Sequence, residues 1–325
     1  MAGQGPGQIP CGLPVRRVSR SMVNGCPMTR EVAASAGSAR VENLQQSSER
    51  KEMAGTTYGF IGAGQMARAL AGGIVRAGLA DAERIWAGDP AAAARQQFAS
   101  VVAGAHVVET NAEVAAACQL IVLAVKPQLM DRVLEDLAPH VGDHQLIVSI
   151  AAGVQIQQIR RRLGDAAKVI RVMPNTPCLV GQGASGYSLG PGVSEDDGAR
   201  VDRLLSAAGR AFQLDERLLD AVTGLSGSGP AFVCVIIEAL SDGGVRMGLP
   251  RSVAMDLAVQ TVRGTAELIG VTGDHPAVIK DRVASPGGTT IAGLDALEAH
   301  GVRRAMMAAV EAATRRSEEL GREPK

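Results

Sequence analysis

The chain's 325 residues are enough for two domains, and a 46% hydrophobic share is enough to bury a substantial core. Lys plus Arg and Asp plus Glu both total 33, so the formal charge is zero, and aromatics are only 2%. This argues against nucleic acid and membrane as partners, because phosphate-rich surfaces want excess positive charge and base stacking wants aromatic platforms. Five scattered cysteines (Cys11, Cys26, Cys118, Cys178, Cys234) without a C-x-x-C pair read as idle thiols of a reducing compartment. The five histidines are equally dispersed, so no metal site is visible. No apolar run reaches the ~18 residues of a membrane span; the longest, near residues 231–240, is broken by Glu238.

Residues 1–54 read as an unfolded leader, rich in Gly, Ser, Pro, Gln and Arg. No acidic residue precedes Glu31, whereas Arg16, Arg17, Arg20 and Arg30 are present. That is the composition of a transit peptide, and it also suits a plain disordered leader or translation beginning at Met53. A plastid or mitochondrial location goes with the first reading, a cytoplasmic one with the others.

Order begins at Thr57. Residues 57–61 form a buried strand, followed by Gly62-Ala63-Gly64-Gln65-Met66-Ala67 and a helical run carrying Ala69, Leu70, Ile74 and Val75. This is a G-x-G-x-x-A fingerprint in its required setting of strand, tight turn and helix, and it points to dinucleotide binding. Gly62 makes the turn, Gly64 lets the backbone close on a pyrophosphate, and Ala67 permits tight helix–strand packing. A second strand, residues 84–87, ends at Gly88-Asp89-Pro90. Asp89 either grips the adenosine ribose, which repels the 2′-phosphate of NADPH and favours NADH, or caps a helix begun by Pro90. Arg95 counters that repulsion if its guanidinium reaches the phosphate. NADPH and NADH both stay open as cofactor.

His106–Val108 is a short strand, and residues 111–118 a short helix that Asn111 can cap. Residues 120–125, ending in Ala124 and Val125, form a wholly apolar strand suited to the middle of a parallel sheet. Lys126 and Pro127 follow at the carboxyl end, where ligands of such sheets lie; Lys126 is read either as a cofactor contact or as a solvated lysine. Residues 145–150 form the next strand, ending at Ile150, with Ala151 and Ala152 small enough for a flat nicotinamide to lie close. Lys168–Met173 follows, then Pro174-Asn175-Thr176-Pro177, a rigid turn at the same sheet edge. Residues 184–189 add an edge strand and residues 195–208 a helix.

From Asp220 the pattern is helical throughout. A helix over residues 231–247 is apolar nearly all round, as in a core or a subunit interface. Pro250 and Pro276 open two more, and an amphipathic helix over residues 302–320 closes the chain. Such apolar helical surface points to burial in a dimer. Between them lies Ser285-Pro286-Gly287-Gly288-Thr289-Thr290, where Pro286 halts the preceding helix and Thr289 and Thr290 open another. Free N–H groups at such a start make an anion nest with the Thr290 hydroxyl on its rim, suited to a carboxylate beside a hydrogen-bonding group. A Gly-rich turn with Thr caps is the alternative.

From about Thr57 to its end, the sequence resembles the pyrroline-5-carboxylate reductases. The resemblance rests on residues 59–67, on Ala124-Val125-Lys126-Pro127, on residues 222–231 (Val-Thr-Gly-Leu-Ser-Gly-Ser-Gly-Pro-Ala), and on residues 280–290 (Lys-Asp-Arg-Val-Ala-Ser-Pro-Gly-Gly-Thr-Thr). It implies an α/β fold: a Rossmann-type doubly wound parallel sheet over residues 55–219, then an all-helical substrate-binding and dimerisation domain over residues 220–325. It implies NAD(P)H-dependent reduction of L-1-pyrroline-5-carboxylate to L-proline, the last step of proline biosynthesis, by a homodimer that assembles further, commonly to a decamer. Carried over by motif, the cofactor lies on Gly62, Ala63, Gly64, Gln65 and Met66, near Asn111, and along Ala124 to Pro127 and Ile150 to Ala152; Asp89 joins them as a cofactor contact by its place at the end of the second strand. Ser285, Gly288, Thr289 and Thr290 then bind substrate, with Thr290 holding the ring nitrogen as the catalytic residue. Two positions depart from the family pattern: Asp89, often Ser or neutral in relatives, and Arg282, often smaller. A β-hydroxyacid dehydrogenase or another imine reductase is the nearest rival; residues 231–245 lack the lysine that the hydroxyacid enzymes usually place on their interdomain helix. A redox sensor on a dehydrogenase scaffold would be expected to have lost the 285–290 turn.

Overall fold

Eight strands form among the described residues, most of them from short apolar runs: β1 Tyr58–Ile61, β2 Ile85–Gly88, β3 His106–Val108, β4 Leu120–Leu123, β5 Leu146–Ser149, β6 Lys168–Met173, β7 Gly183–Leu189 and β8 Gly209–Gln213. The computed structural model describes residues 55–322, so the proposed leader lies outside the described residues. The strands pair in the order β3-β2-β1-β4-β5-β6-β7-β8. β1 to β6 run parallel; β7 is antiparallel to β6, and β8 is parallel to β7. The order reverses direction at β1, which lies between β2 and β4. That is the switch point outside which ligands of doubly wound sheets bind.

Helices cover both faces. On one face α1 (Gln65–Arg76), α2 (Ala92–Val101) and α6 (Glu195–Ser206) pack Leu70, Ile74, Phe98, Val201 and Leu204 over Phe60, Val122 and Val148. On the other, α3 (Asn111–Ala117), α4 (Met130–Leu137) and α5 (Ile156–Leu163) pack Val114, Leu134 and Ile159 over Ile61, Ile121 and Ile147. Successive residues of β4 serve opposite faces, which is why that strand reads as continuously apolar.

Four local expectations need correction. The helix after β2 starts at Ala92, not at Pro90. The cap of α3 is Thr110, whose hydroxyl accepts from the Glu113 amide; Asn111 instead donates to Asp136. β7 is not the edge, because β8 pairs beyond it. β8 was unread because Gly-Arg-Ala-Phe-Gln is largely exposed and has no apolar run, so its strand state depends on β7 alone.

After β8 only helices follow: α7 Leu219–Val222, α8 Gly229–Arg246, α9 Arg251–Thr272, α10 Pro276–Val283, α11 Thr289–Ala299 and α12 Val302–Arg322. A π-helical segment, Thr223–Gly227, joins α7 to α8. The whole helical stretch Glu216–Arg246 is long and apolar enough, by length and composition, to cross a membrane. Glu238 interrupts the apolar run near residues 231–240 without interrupting the helix. Within the single chain only Ser241 of α8 is buried. Val235, Leu257, Val271 and Val283 are all more than half exposed, so the described residues leave this apolar surface uncovered.

Candidate active site

The turn after β1 is built by two glycines with different physical roles. Gly62 has φ +97°, and a Cβ there would sit 2.9 Å from the Ala124 carbonyl oxygen, so fold and sterics both demand glycine. Its N–H donates to the Gly88 carbonyl at 2.7 Å. Gly64 has φ −70°, and a Cβ would meet nothing within 4 Å. The chain itself therefore has no need of glycine there. What Gly64 leaves is open space at the start of α1, whose N-terminus has no side-chain cap. Space plus free N–H groups is what a pyrophosphate needs, so the residues present fit a dinucleotide. Gln65 and Met66 begin α1, and Ala67 is fully buried against the sheet.

The remaining cofactor candidates line the same carboxyl edge. Asp89 follows β2, and its Oδ2 accepts from the Ala63 amide of the fingerprint turn at 3.0 Å while Oδ1 accepts from Ala91 at 2.9 Å. Ala124 follows β4 and its amide donates to Ile61 at 2.8 Å; Val125 and Pro127 are half-buried and Lys126 is exposed. Ile150 follows β5, with Ala151 buried and Ala152 half-buried. Asn111 opens α3 behind β3. The fold thus gathers these residues from four strand ends around β1.

The 285–290 turn is placed elsewhere. Gly287 has φ +65°, the Gly288 amide donates to the Ser285 carbonyl at 3.1 Å, and α11 starts at Thr289 with no side-chain cap. The Thr capping alternative is therefore not what forms. Ser285 and Thr289 are exposed and Gly288 and Thr290 half-buried. Among the described residues, the hydrogen bonds and ion pairs of residues 276–299 reach no further than Asp274 and Arg303. Arg282, the unexplained departure, pairs with Asp274 at 2.5 Å. Bonds among the described residues do not tie this turn to the sheet.

A polar network does tie the helices near the linker to the sheet. Arg171, nearly fully buried in β6, lies 3.2 Å from Asp220 and 3.4 Å from Glu216. Asp220 also accepts from the Ser317 hydroxyl on α12 at 2.8 Å, and Glu216 accepts from the Ile156 amide. The signal for it was an arginine inside the apolar strand Val169-Ile170-Arg171-Val172, which must find carboxylates somewhere. Beside it, Asn175 accepts from Ala184 and donates to the Ser226 carbonyl, while the Ser226 hydroxyl donates to Ala184. The glycines of that segment are packing devices. A Cβ on Gly224 would lie 2.7 Å from the Val310 carbonyl, and one on Gly227 2.6 Å from the Met173 methyl.

Comparison with known proteins decides the family. The chain is 46% identical over 263 residues to a pyrroline-5-carboxylate reductase of Arabidopsis thaliana, covering 81% of this chain and 94% of that one. A Synechocystis enzyme of the same name is 47% identical over 264 residues, covering 81% and 98%. The chain belongs to the pyrroline-5-carboxylate reductase family. Residues 216–320 match the family model for pyrroline-5-carboxylate reductase dimerisation, and residues 57–153 that for coenzyme F420-dependent NADP oxidoreductases. A Plasmodium falciparum pyrroline carboxylate reductase solved with NADP bound superposes with TM-score 0.75 at 34% identity, covering 82% of this chain and 99% of that one. The Coxiella burnetii reductase gives 0.77 at 32%, covering 82% and 99%. The dimerisation module coincides with the helices whose apolar faces the single chain leaves bare, which accounts for the hydrophobicity of the 216–246 stretch.

Proposed function

We infer that this chain is an NAD(P)H-dependent pyrroline-5-carboxylate reductase, reducing L-1-pyrroline-5-carboxylate to L-proline. The observation that carries the reading is the pairing of a dinucleotide turn, open at Gly64, with the uncapped nest at Gly288 and Thr289, in a chain with close relatives of that activity. When bound, the nicotinamide supplies hydride. The chain's residues do the rest. Gly62 to Met66, Asp89, Asn111, Ala124 to Pro127 and Ile150 to Ala152 hold the cofactor. The amides around Gly288 and Thr289, with Ser285, hold the substrate carboxylate. The Thr290 hydroxyl bonds the ring nitrogen, orienting the C=N carbon towards the hydride donor, and relays a proton from water.

The bare helical faces and the separation of the 276–299 bonds from the sheet support a site completed on homodimerisation. The working particle is read as a homodimer assembling to a decamer, with neither nucleic acid nor membrane as partner. Its location is cytoplasmic, or plastid or mitochondrial if residues 1–54 direct import. Thr290→Ala tests the mechanism: kcat falls by about 10²-fold or more, while the Kd for cofactor stays within about twofold of the parent value. An unchanged kcat removes Thr290 from the reaction, and a protein that binds dinucleotide yet forms no proline refutes the activity.

A further inference from the structure

We propose that Asp89 makes this chain an NADH enzyme, by placing a carboxylate where the adenosine 2′-phosphate of NADPH would have to lie. The proposal rests on the dinucleotide reading above. The geometry goes beyond an acidic residue at the end of β2. Both Asp89 oxygens accept backbone amides, Oδ2 from Ala63 inside the fingerprint turn and Oδ1 from Ala91 after Pro90. The carboxylate is thus pinned across the gap between the two turns that flank an adenosine ribose, and it cannot swing away without leaving two amides unpaired. A ribose hydroxyl can donate to such a group; a phosphate cannot donate and brings negative charge against it.

The cation that would reverse this choice is already engaged. Arg95, on the first turn of α2, donates through Nη1 to the Asp89 carbonyl at 2.8 Å and the Pro90 carbonyl at 3.1 Å. Its Nη2 meets Glu109 at 2.5 Å. Its side chain is 16% exposed, so it is fastened down along the β2 and β3 ends rather than extended into solvent. Arg68 of α1 donates to Gln97 of α2. Lys126 stands beyond β4, on the other side of β1 from β2. Specificity is therefore set by three residues: Asp89 rejects the phosphate, Glu109 holds Arg95 back, and Arg95 braces the Asp89 backbone.

The test is equilibrium binding by calorimetry to the full chain, without substrate, of ADP-ribose, 2′-phospho-ADP-ribose, NAD⁺ and NADP⁺. The parent protein binds the unphosphorylated member of each pair on the order of tenfold tighter or more, and the ratio shrinks as salt rises from 0.05 to 0.5 M. Asp89→Asn keeps size and one backbone acceptor, and moves the ratio towards or past unity. Glu109→Gln, which leaves Asp89 intact and frees Arg95, moves it the same way through tighter NADP⁺ binding. The kcat/KM ratio for NADH over NADPH follows the binding ratio in all three proteins. Equal or tighter binding of the 2′-phosphorylated ligands by the parent, or an Asp89→Asn ratio unchanged from it, overturns the proposal. Because no imine is present in the binding experiment, a failed reductase assay leaves this result intact, and the two readings fail separately.

Discussion

Asp220→Ala takes away the nearer carboxylate of a nearly buried guanidinium, and its cost can be worked from the geometry. Asp220 accepts from Arg171 at 3.2 Å and from Ser317 at 2.8 Å, and its side chain is 17% exposed against 4% for Arg171. Breaking a buried pair by deleting one partner costs about 3–5 kcal/mol. Glu216 remains 3.4 Å from Arg171 but is a third exposed, so the low end, about 3 kcal/mol, is expected. For a chain of this size that lowers Tm by about 6 °C. Arg171→Met takes the guanidinium from two partly solvated carboxylates, which keep only the Ser317 hydroxyl and the Ile156 amide, and costs about 2 kcal/mol. The double variant loses about 3 kcal/mol rather than the sum, a coupling of about 2 kcal/mol. Denaturant and thermal unfolding are read at one fixed protein concentration, because assembly contributes to stability. Single effects that add to within about 0.5 kcal/mol would show that Arg171 and Asp220 do not act as a pair, and the network reasoning would be wrong.

Gly64→Val separates fold from function: the open space and ordinary φ predict a Tm within about 2 °C of the parent, while NADH affinity in a fluorescence titration falls by about tenfold or more. A parallel loss of Tm would mean that Gly64 serves the fold. Burial opposes ionisation of Asp197, but bonds from Ser194 and Lys168 outweigh it and hold the carboxyl below its ordinary value. A depressed folded pKa gives stability that is present above the unfolded pKa and lost as pH falls through the folded one. Asp197→Asn is therefore less stable than the parent at pH 7, and the gap in unfolding free energy closes below about pH 4. A pH-independent gap contradicts this. Burial pushes the Cys118 thiol up to about 12 and raises that of Cys178 as well. Peptide mapping after alkylation at pH 8 should find both unlabelled until denaturant is added, whereas exposed Cys234 on α8 gains label as the assembly dissociates.

Much of the first half was legible because its signals are local. A β-strand that is apolar on both faces, a glycine forced to φ +97° at Gly62, and a small residue at Ala67 each carry their reason in a few neighbouring residues. Seven strands, the helices after β1, β2, β3 and β7, and the edge that holds the cofactor candidates follow from that; the helices Met130–Leu137 and Ile156–Leu163 were not read. The apolar helices after Asp220 likewise announced an interface through composition alone, and Pro, Gly and Thr in sequence marked the 285–290 turn and the helix start after it. What only the tertiary structure decided depends on partners far along the chain. β8 exists because β7 offers it an edge, and Thr110 rather than Asn111 caps α3 because the chain enters that helix one residue earlier. Arg171 finds Asp220, 49 residues on, and Asp220 finds Ser317, 97 residues further, only once β6, α7 and α12 are stacked. The two readings of Asp89, ribose grip or helix cap, could not be separated in one dimension. Folding brings Ala63 and Ala91 to opposite oxygens of the same carboxylate and ties Arg95 to Glu109, because where these charges and amides meet is fixed by the packing of β1, β2 and β3 and not by residue order.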